Sequence, residues 1–511
     1  MTEINTTQGV VRGLRRDGHV AFFDIPYAAA PTGAGRFAEP GPHASWDGVR
    51  DATTPGPSAP QAERKLGRID LSAYFDGWHQ GEDYLTVNVW TPDPPAADLP
   101  VMVFVHGGGF VAGSNRAALY DGSSFARNGV VLVTLNYRLG IAGFLDLPGA
   151  PANRGLLDVV AALRWVRSNI AAFGGDPGNV TLFSQSAGAT IVGGVLATPE
   201  AAGLIRRAII QSGSGLGAFT REQGARVTSA AAEVLGIDAN ADAFAEVSDE
   251  RLVEAAGRLA GIDLRTETAT DPLIGLSPFG LVLDTQPADA LTVDADLLIG
   301  TNTEEGNLYL VPVGRYATST AADVDAAASA AHPDPVRLIA AYRDQRPTAT
   351  APQLRAAIMG DALFGAGTWA LRDAHARRSG PATFAYEFSW RSSALGGELG
   401  AAHAVELPFV FGCTGLPAVR GEHRLLGAVA PPAGLADRMH HAWIRFARTG
   451  DPGWAPYDTV RRTTMRISSV WEQLDDPRGV ERRAWSRTSD SRVVLTAGSK
   501  APIGTNCVPC T

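Results

Sequence analysis

A chain of 511 residues, 45% hydrophobic and 19% charged, carries enough apolar material for a large core and is not a disordered segment. Its formal net charge of −9, with no basic cluster, argues against a nucleic-acid partner. Three cysteines are too few for a disulfide framework, and no run reaches the ~20 apolar residues of a membrane span.

The N-terminal stretch MTEINTTQGVVRG has no basic region followed by an apolar one, so the expectation is a soluble, cytoplasmic chain. Lysine occurs only at Lys65 and Lys500, and neither is near a candidate nucleophile in sequence. Cys507 and Cys510 form a C-x-x-C without a preceding βαβ unit or further ligands, which reads as a feature of the tail rather than a metal or redox site. Cys413 reads as a small core or loop residue.

In chain order, residues 8–49 read as short strands and turns, and 61–80 as an exposed polar loop with scattered aromatics. Leu85–Trp90 alternates apolar and polar residues and predicts a strand. Pro100–Val105 and Val130–Leu135 are continuous apolar runs, the pattern of parallel strands buried on both faces. Leu156, Val160, Leu163, Val166 and Ile170 recur at helical spacing. Val180–Phe183 predicts another buried strand, and strands follow at Ala208–Gln211, Asp296–Gly300 and Ala382–Phe388. Leu435–Arg448 predicts a helix. Strands alternating with helices give an α/β fold with a central, mostly parallel sheet flanked by helices. One domain over 1–511 is the economical division, with helical excursions at roughly 218–275 and 310–380 and a tail from roughly 490.

The strand Val180–Phe183 stops at Ser184-Gln185-Ser186-Ala187-Gly188 and becomes helical within a few residues. A strand that reverses into a helix so sharply needs small neighbours and holds the residue at its tip exposed. This is the pattern of the G-x-S-x-G nucleophile elbow, with Ser184 in place of the first glycine. A serine hydroxyl needs a base, an acid that orients the base, and donors for the oxyanion. His106-Gly107-Gly108-Gly109 follows a buried strand, and its glycines let N–H groups approach a carbonyl closely. The N–H of Ala187 is the complementary donor.

Ten histidines compete for the base. His106 lies in the glycine loop and His440-His441 on a predicted helix. His19, His43, His79, His332, His375 and His423 read as solvated. His403 is flanked by small residues that let an imidazole project into a cleft, although local context does not single it out. Glu304 and Glu305 follow the strand Asp296–Gly300, where an acid lies beyond the sheet's C-terminal edge, and spacing does not choose between them.

Taken together, the motifs resemble the type-B carboxylesterase/cholinesterase family of α/β-hydrolases, most closely its soluble bacterial members. The likeness runs from IPYA at 25–28, through GEDYLTVNVW at 81–90, HGGGF at 106–110, FGGDPGNVTLFSQSAGA at 173–189, GTNTEEG at 300–306 and GAAHAVELPFVFG at 400–412, to FARTGDP at 446–452. It implies an α/β-hydrolase fold with helical insertions over the site. Ser186 is then the nucleophile, His403 the base and Glu305 the acid, with Gly108, Gly109 and Ala187 as oxyanion donors. The implied activity is hydrolysis of short- to medium-chain aliphatic or aromatic esters, with no metal or cofactor, by a monomer or small homo-oligomer with no membrane partner. The same machinery serves amides and carbamates, and catalytically dead binding relatives exist. Phe110, Gln185 and Phe279 are expected in the substrate pocket. Departures from the family pattern are Ser184, Gln185 in place of a frequent glutamate, Tyr84 in place of a disulfide cysteine, and Asp24 in place of a glycine, expected to be a surface matter.

Overall fold

The apolar runs become the strands of one sheet in the computed structural model, which describes residues 1–93 and 96–486. The strands are β1 (Thr2–Asn5), β2 (Val10–Arg16), β3 (His19–Pro26), β4 (Val49–Asp51), β5 (Thr86–Pro92), β6 (Leu99–Val105) and β7 (Val131–Leu135). They continue as β8 (Gly175–Gln185), β9 (Arg207–Gln211), β10 (Asp296–Asn302), β11 (Thr383–Phe388), β12 (Thr463–Ile467) and β13 (Glu472–Asp475). Their order across the sheet is β1-β2-β3-β5-β7-β6-β8-β9-β10-β11-β12-β13, with β4 beside β2. Every pair from β7 to β12 is parallel. The main path is antiparallel outside that block, from β1 to β7 and between β12 and β13.

Two separate cores explain why the central strands are apolar on both faces over most of their length. Val101, Val103, Val105, Val180, Leu182, Ala208, Ile210, Leu297 and Ile299 face one core. Met102, Phe104, Phe183, Ile209 and Leu298 alternate with them and face the other. Helices Arg154–Asn169 and Ala187–Leu196 bury Leu163, Val166, Ile191 and Val195 in the first core, and helix Leu435–Thr449 buries Met439, Trp443 and Phe446 in the second. Phe183 lies 4.9 Å from the Phe104 ring and 5.9 Å from that of Phe411. Burial of one such ring stabilises the fold by about 1.5–3 kcal/mol.

This topology fixes where a ligand goes. The chain leaves β6 to form β7 on one side, then returns to place β8 on the other. At such a reversal the loops after the two central strands diverge and open a crevice at their C-terminal ends. His106–Phe110 follows β6 and Ser186 follows β8, so both motifs meet there.

Four expectations need correction. Residues 61–80 are not a simple exposed loop: Ile69, Leu71, Ala73 and Tyr74 are buried in the second core. His19 and His375 are buried rather than solvated. His375 sits on the inner side of helix Ala366–Ala376, between Thr383 Oγ1 at 2.7 Å and the Ala295 carbonyl at 2.9 Å. Asp24 is half-buried at φ 57°, beside Arg50, and desolvation raises its carboxyl to about 6. Cys507, Cys510 and the tail lie outside the described residues. Among the described residues, no helix is long and apolar enough to cross a membrane.

Candidate active site

Ser186 stands between β8 and helix Ala187–Leu196 with φ 61° and ψ −131°, a conformation costly for a residue with a Cβ. Two backbone bonds hold it: its N–H donates to the Gln211 carbonyl at 3.0 Å, and its own carbonyl accepts from Thr190 N at 3.0 Å. The turn works only because Gly188 lacks a side chain. A Cβ there would meet the Val105 and His106 carbonyl oxygens at 2.4 and 2.5 Å. Phe110, Ser212 and Ala404 also have positive φ. Among the described residues, four of the eleven positive-φ residues with side chains thus stand at or beside Ser186 and His403.

His403 bridges Ser186 and Glu305. Its Nε2 lies 2.8 Å from Ser186 Oγ, and its Nδ1 lies 2.6 Å from Glu305 Oε2. The other carboxylate oxygen, Oε1, accepts from Ser212 Oγ at 2.5 Å and from the Asn302 N–H at 2.6 Å. Glu305 and His403 are both buried. The neighbouring Glu304 turns away, pairing with Arg391 and accepting from Ala401 N at 2.8 Å. Phe364 lies parallel over the imidazole, with centroids 4.2 Å apart and planes 9° apart. Gln185 Nε2 approaches His403 Nε2 at 3.0 Å.

The glycine loop wraps over Ser186. Gly108 (φ 123°) and Gly109 (φ 66°) adopt conformations that favour glycine, and a Cβ on Gly108 would lie 1.9 Å from the Ala112 carbonyl oxygen. Among the described residues no acceptor takes the N–H of Gly108 or Gly109. Ala187, as the first residue of its helix, has no intrahelical partner for its N–H. Ser277 Oγ anchors the loop by donating to the Gly109 carbonyl at 2.8 Å. His106 is not poised as a base. It is buried and stacked on Tyr137, and desolvation lowers its imidazole to about 4.

The cleft at Ser186 is walled by Leu71, Tyr74, Phe75, Phe110, Leu276, Tyr309, Leu363 and Phe364, with Arg64 and Gln185 among its polar lining. Phe110 and Gln185 both border this cleft. Phe279 does not line the cleft; it is buried in the first core. Sequence reasoning missed Ser212, Phe364, Glu406 and Arg64. Ser212 directly follows β9, beside β8, and that position was a usable signal.

Glu406 is a second buried carboxyl behind the first. It accepts from Asn302 Nδ2 at 2.6 Å and Gln211 Nε2 at 3.2 Å. Desolvation, then the charge of Glu305, raises it to about 7. Among the described residues no group of three or more His, Cys, Asp or Glu side chains could hold a metal ion.

The Carboxylesterase family profile matches residues 1–483. The chain is 36% identical over 507 residues to a para-nitrobenzyl esterase of Bacillus subtilis (strain 168), covering 94% of this chain and 98% of that protein. It is 35% identical to a phenmedipham hydrolase of Pseudarthrobacter oxydans, over 88% of this chain and 90% of that one. Among solved structures, the Geobacillus stearothermophilus carboxylesterase EST55 superposes with a TM-score of 0.81 at 34% identity, covering 95% of this chain and 100% of that one.

Proposed function

The chain belongs to the carboxylesterase family and is a carboxylic-ester hydrolase, and from that premise we propose that it acts through an acyl-enzyme on Ser186 and takes short- to medium-chain aliphatic or aromatic esters. The observation that carries this proposal is the unbroken chain of contacts from Ser186 Oγ through both nitrogens of His403 to Glu305, at 2.8 and 2.6 Å.

In the acylation half, Ser186 Oγ attacks the ester carbonyl while His403 Nε2 takes its proton. Glu305 accepts from Nδ1, fixes the tautomer and stabilises the imidazolium. The N–H groups of Gly108, Gly109 and Ala187 receive the oxyanion, and each such donor lowers the barrier by roughly 3–4 kcal/mol. His403 then protonates the leaving alcohol. Water enters and cleaves the acyl-enzyme by the same steps in reverse. The apolar walls suit an aliphatic or aromatic acyl or alcohol group and limit water at the imidazole.

The esterase names of the relatives favour esters over amides. The whole described chain acts as one catalytic unit in this proposal, since a single sheet carries all the candidate groups. A bacterial origin is supported by identities of 36 and 35% to bacterial proteins against 32% to a human one, and we infer a cytoplasmic setting from the small number of cysteines. Tyr84 in place of a disulfide cysteine fits that setting. Among the described residues only eight large apolar side chains are exposed, as suits a monomer or small homo-oligomer.

The test is initial rates on p-nitrophenyl acetate, butyrate, octanoate and palmitate for the native protein and Ser186→Ala. Activity should be highest on the shorter esters and fall about 10⁶-fold in the variant. Equal rates in both proteins, after background correction, would refute the assignment of Ser186.

A further inference from the structure

Among the described residues the cleft at Ser186 carries one standing charge on its wall, and it is positive. The protein as a whole is acidic, at −9, yet among the described residues no Asp or Glu lines this cleft. Arg64 does, from the 61–80 segment that folds back over the site. Its position is close to the reacting centre. A methyl group built on Gly109 would lie 3.5 Å from Arg64 Nη2 and 3.7 Å from Nη1, so the guanidinium sits against the loop that faces Ser186.

Arg64 also lacks a counter-ion. Among the described residues its side chain makes no ion pair or hydrogen bond, and its guanidinium carbon lies 5.8 Å from the Phe75 ring centroid. The acids on the same segment are engaged elsewhere: Glu63 with Lys65 at 2.9 Å, Asp70 with Arg424 at 2.9 Å and Asp76 with Arg116 at 3.2 Å. The charge of Arg64 reaches into the site, since it opposes the burial that raises the Tyr309 phenol. A half-buried arginine held against apolar walls, with five donors unused, is a receptor for a planar anion. Gln185 beside the nucleophile adds no negative charge to repel one.

We propose that this esterase favours esters carrying a carboxylate away from the scissile bond, and that Arg64 binds that carboxylate. The proposal rests on the esterase assignment above. It makes Arg64 a specificity-determining residue: its contact with the remote group is the same in ground and transition states, so it acts on KM more than on kcat.

Two matched pairs test it. The mono-p-nitrophenyl ester of adipic acid, against the same ester with its free acid converted to a primary amide, places the charge on the acyl side. 4-Acetoxybenzoate against 4-acetoxybenzamide places it on the alcohol side. The readout is the ratio of kcat/KM, anionic over neutral, in the native protein, Arg64→Gln and Arg64→Lys. Because the ratio is taken within one protein, partial misfolding cancels.

For at least one pair, Arg64→Gln should lower the ratio about ten-fold, mostly through KM, as expected for one partly desolvated ion pair. Arg64→Lys should restore part of it, and added salt should shrink the native ratio. A ratio that stays the same in all three proteins, with turnover intact, overturns the proposal and leaves the esterase assignment standing. A fall in kcat alike for both members of each pair would assign Arg64 to the oxyanion and overturn it as well. No turnover of any of the four esters by the native protein would instead overturn the esterase assignment itself.

Discussion

Glu406 ties the stability of the fold to pH in a window where most carboxylates are silent. It is completely buried, three residues beyond His403, and Asn302 bridges it to Glu305: the Asn302 side chain donates to Glu406 at 2.6 Å and its backbone N–H donates to Glu305, also at 2.6 Å. Burial and the neighbouring charge raise the carboxyl from an ordinary value of 4.5 to about 7. A carboxyl whose folded value is raised binds its proton more tightly in the native state. Its contribution is therefore fully present below about pH 4.5 and is lost as pH rises through about 7. Integrated between pH 5 and 8, that loss is about 2–3 kcal/mol. Glu406→Gln removes it. The glutamine can still accept from Asn302, but its amide meets the Gln211 amide, at a pH-independent cost of about 1–3 kcal/mol. The slope therefore carries the information, not the offset. Urea unfolding of both proteins at pH 5, 6, 7 and 8 should show the native midpoint falling relative to the variant's as pH rises. Parallel pH dependence in the two proteins would refute the shift and the sharing of the site by two carboxyls.

Two further outcomes follow from the supports of the site. Ser212→Ala removes the 2.5 Å hydrogen bond to Glu305 Oε1 but leaves the Asn302 N–H in place, so kcat should fall about ten-fold with KM nearly unchanged in steady-state assays. Arg478→Ala strips the buried Asp361 of contacts at 2.9 and 2.5 Å and Glu481 of one at 2.5 Å; the cost should be about 3–5 kcal/mol in urea unfolding, with partial recovery in Arg478→Lys.

How much of this was legible in the sequence follows from the physics of each element. β6, β7, β8, β9 and β10 were readable because burial on both faces leaves a mostly apolar run at the centre of each. β12, Thr463–Ile467, was not: it carries two threonines and Arg466, whose charge is met by Glu387 at 3.2 Å on the neighbouring strand. The 61–80 segment has no periodicity, so its burial could not be inferred. Its anchor is a contact across 330 residues, the Tyr74 hydroxyl donating to the Ala404 carbonyl at 3.1 Å. Glu304 and Glu305 are equivalent in local chemistry. What separates them is direction: the backbone after β10 turns Glu305 toward Ser212 and Asn302 N–H, and Glu304 toward Arg391. Phe364 belongs to a π-helical turn, Asp361–Gly365, whose first residue is held by Arg478, so its stacking on His403 depends on a contact 117 positions away in sequence.

Ser184 shows where the demand for small residues at such a turn comes from. The pattern asks for glycine two residues before the nucleophile and two after. The structure places the steric limit after it and on the facing loop. A Cβ on Gly188 would strike two carbonyl oxygens at 2.4 and 2.5 Å, and one on Gly107 would meet the Gln185 carbonyl oxygen at 2.9 Å and Ser186 Cβ at 3.0 Å. Position 184 lies inside β8, aligned with Val105 of β6 and Ile210 of β9, and its ladder registers on both sides are regular there. It accommodates a hydroxymethyl group, although the buried hydroxyl has no hydrogen-bond partner among the described residues. The cost of this departure from glycine therefore falls on stability, as an unsatisfied polar group of about 1–3 kcal/mol. The geometry of Ser186 is spared, because it is set by Gly107, Gly188 and the Gln211 carbonyl, none of which position 184 displaces.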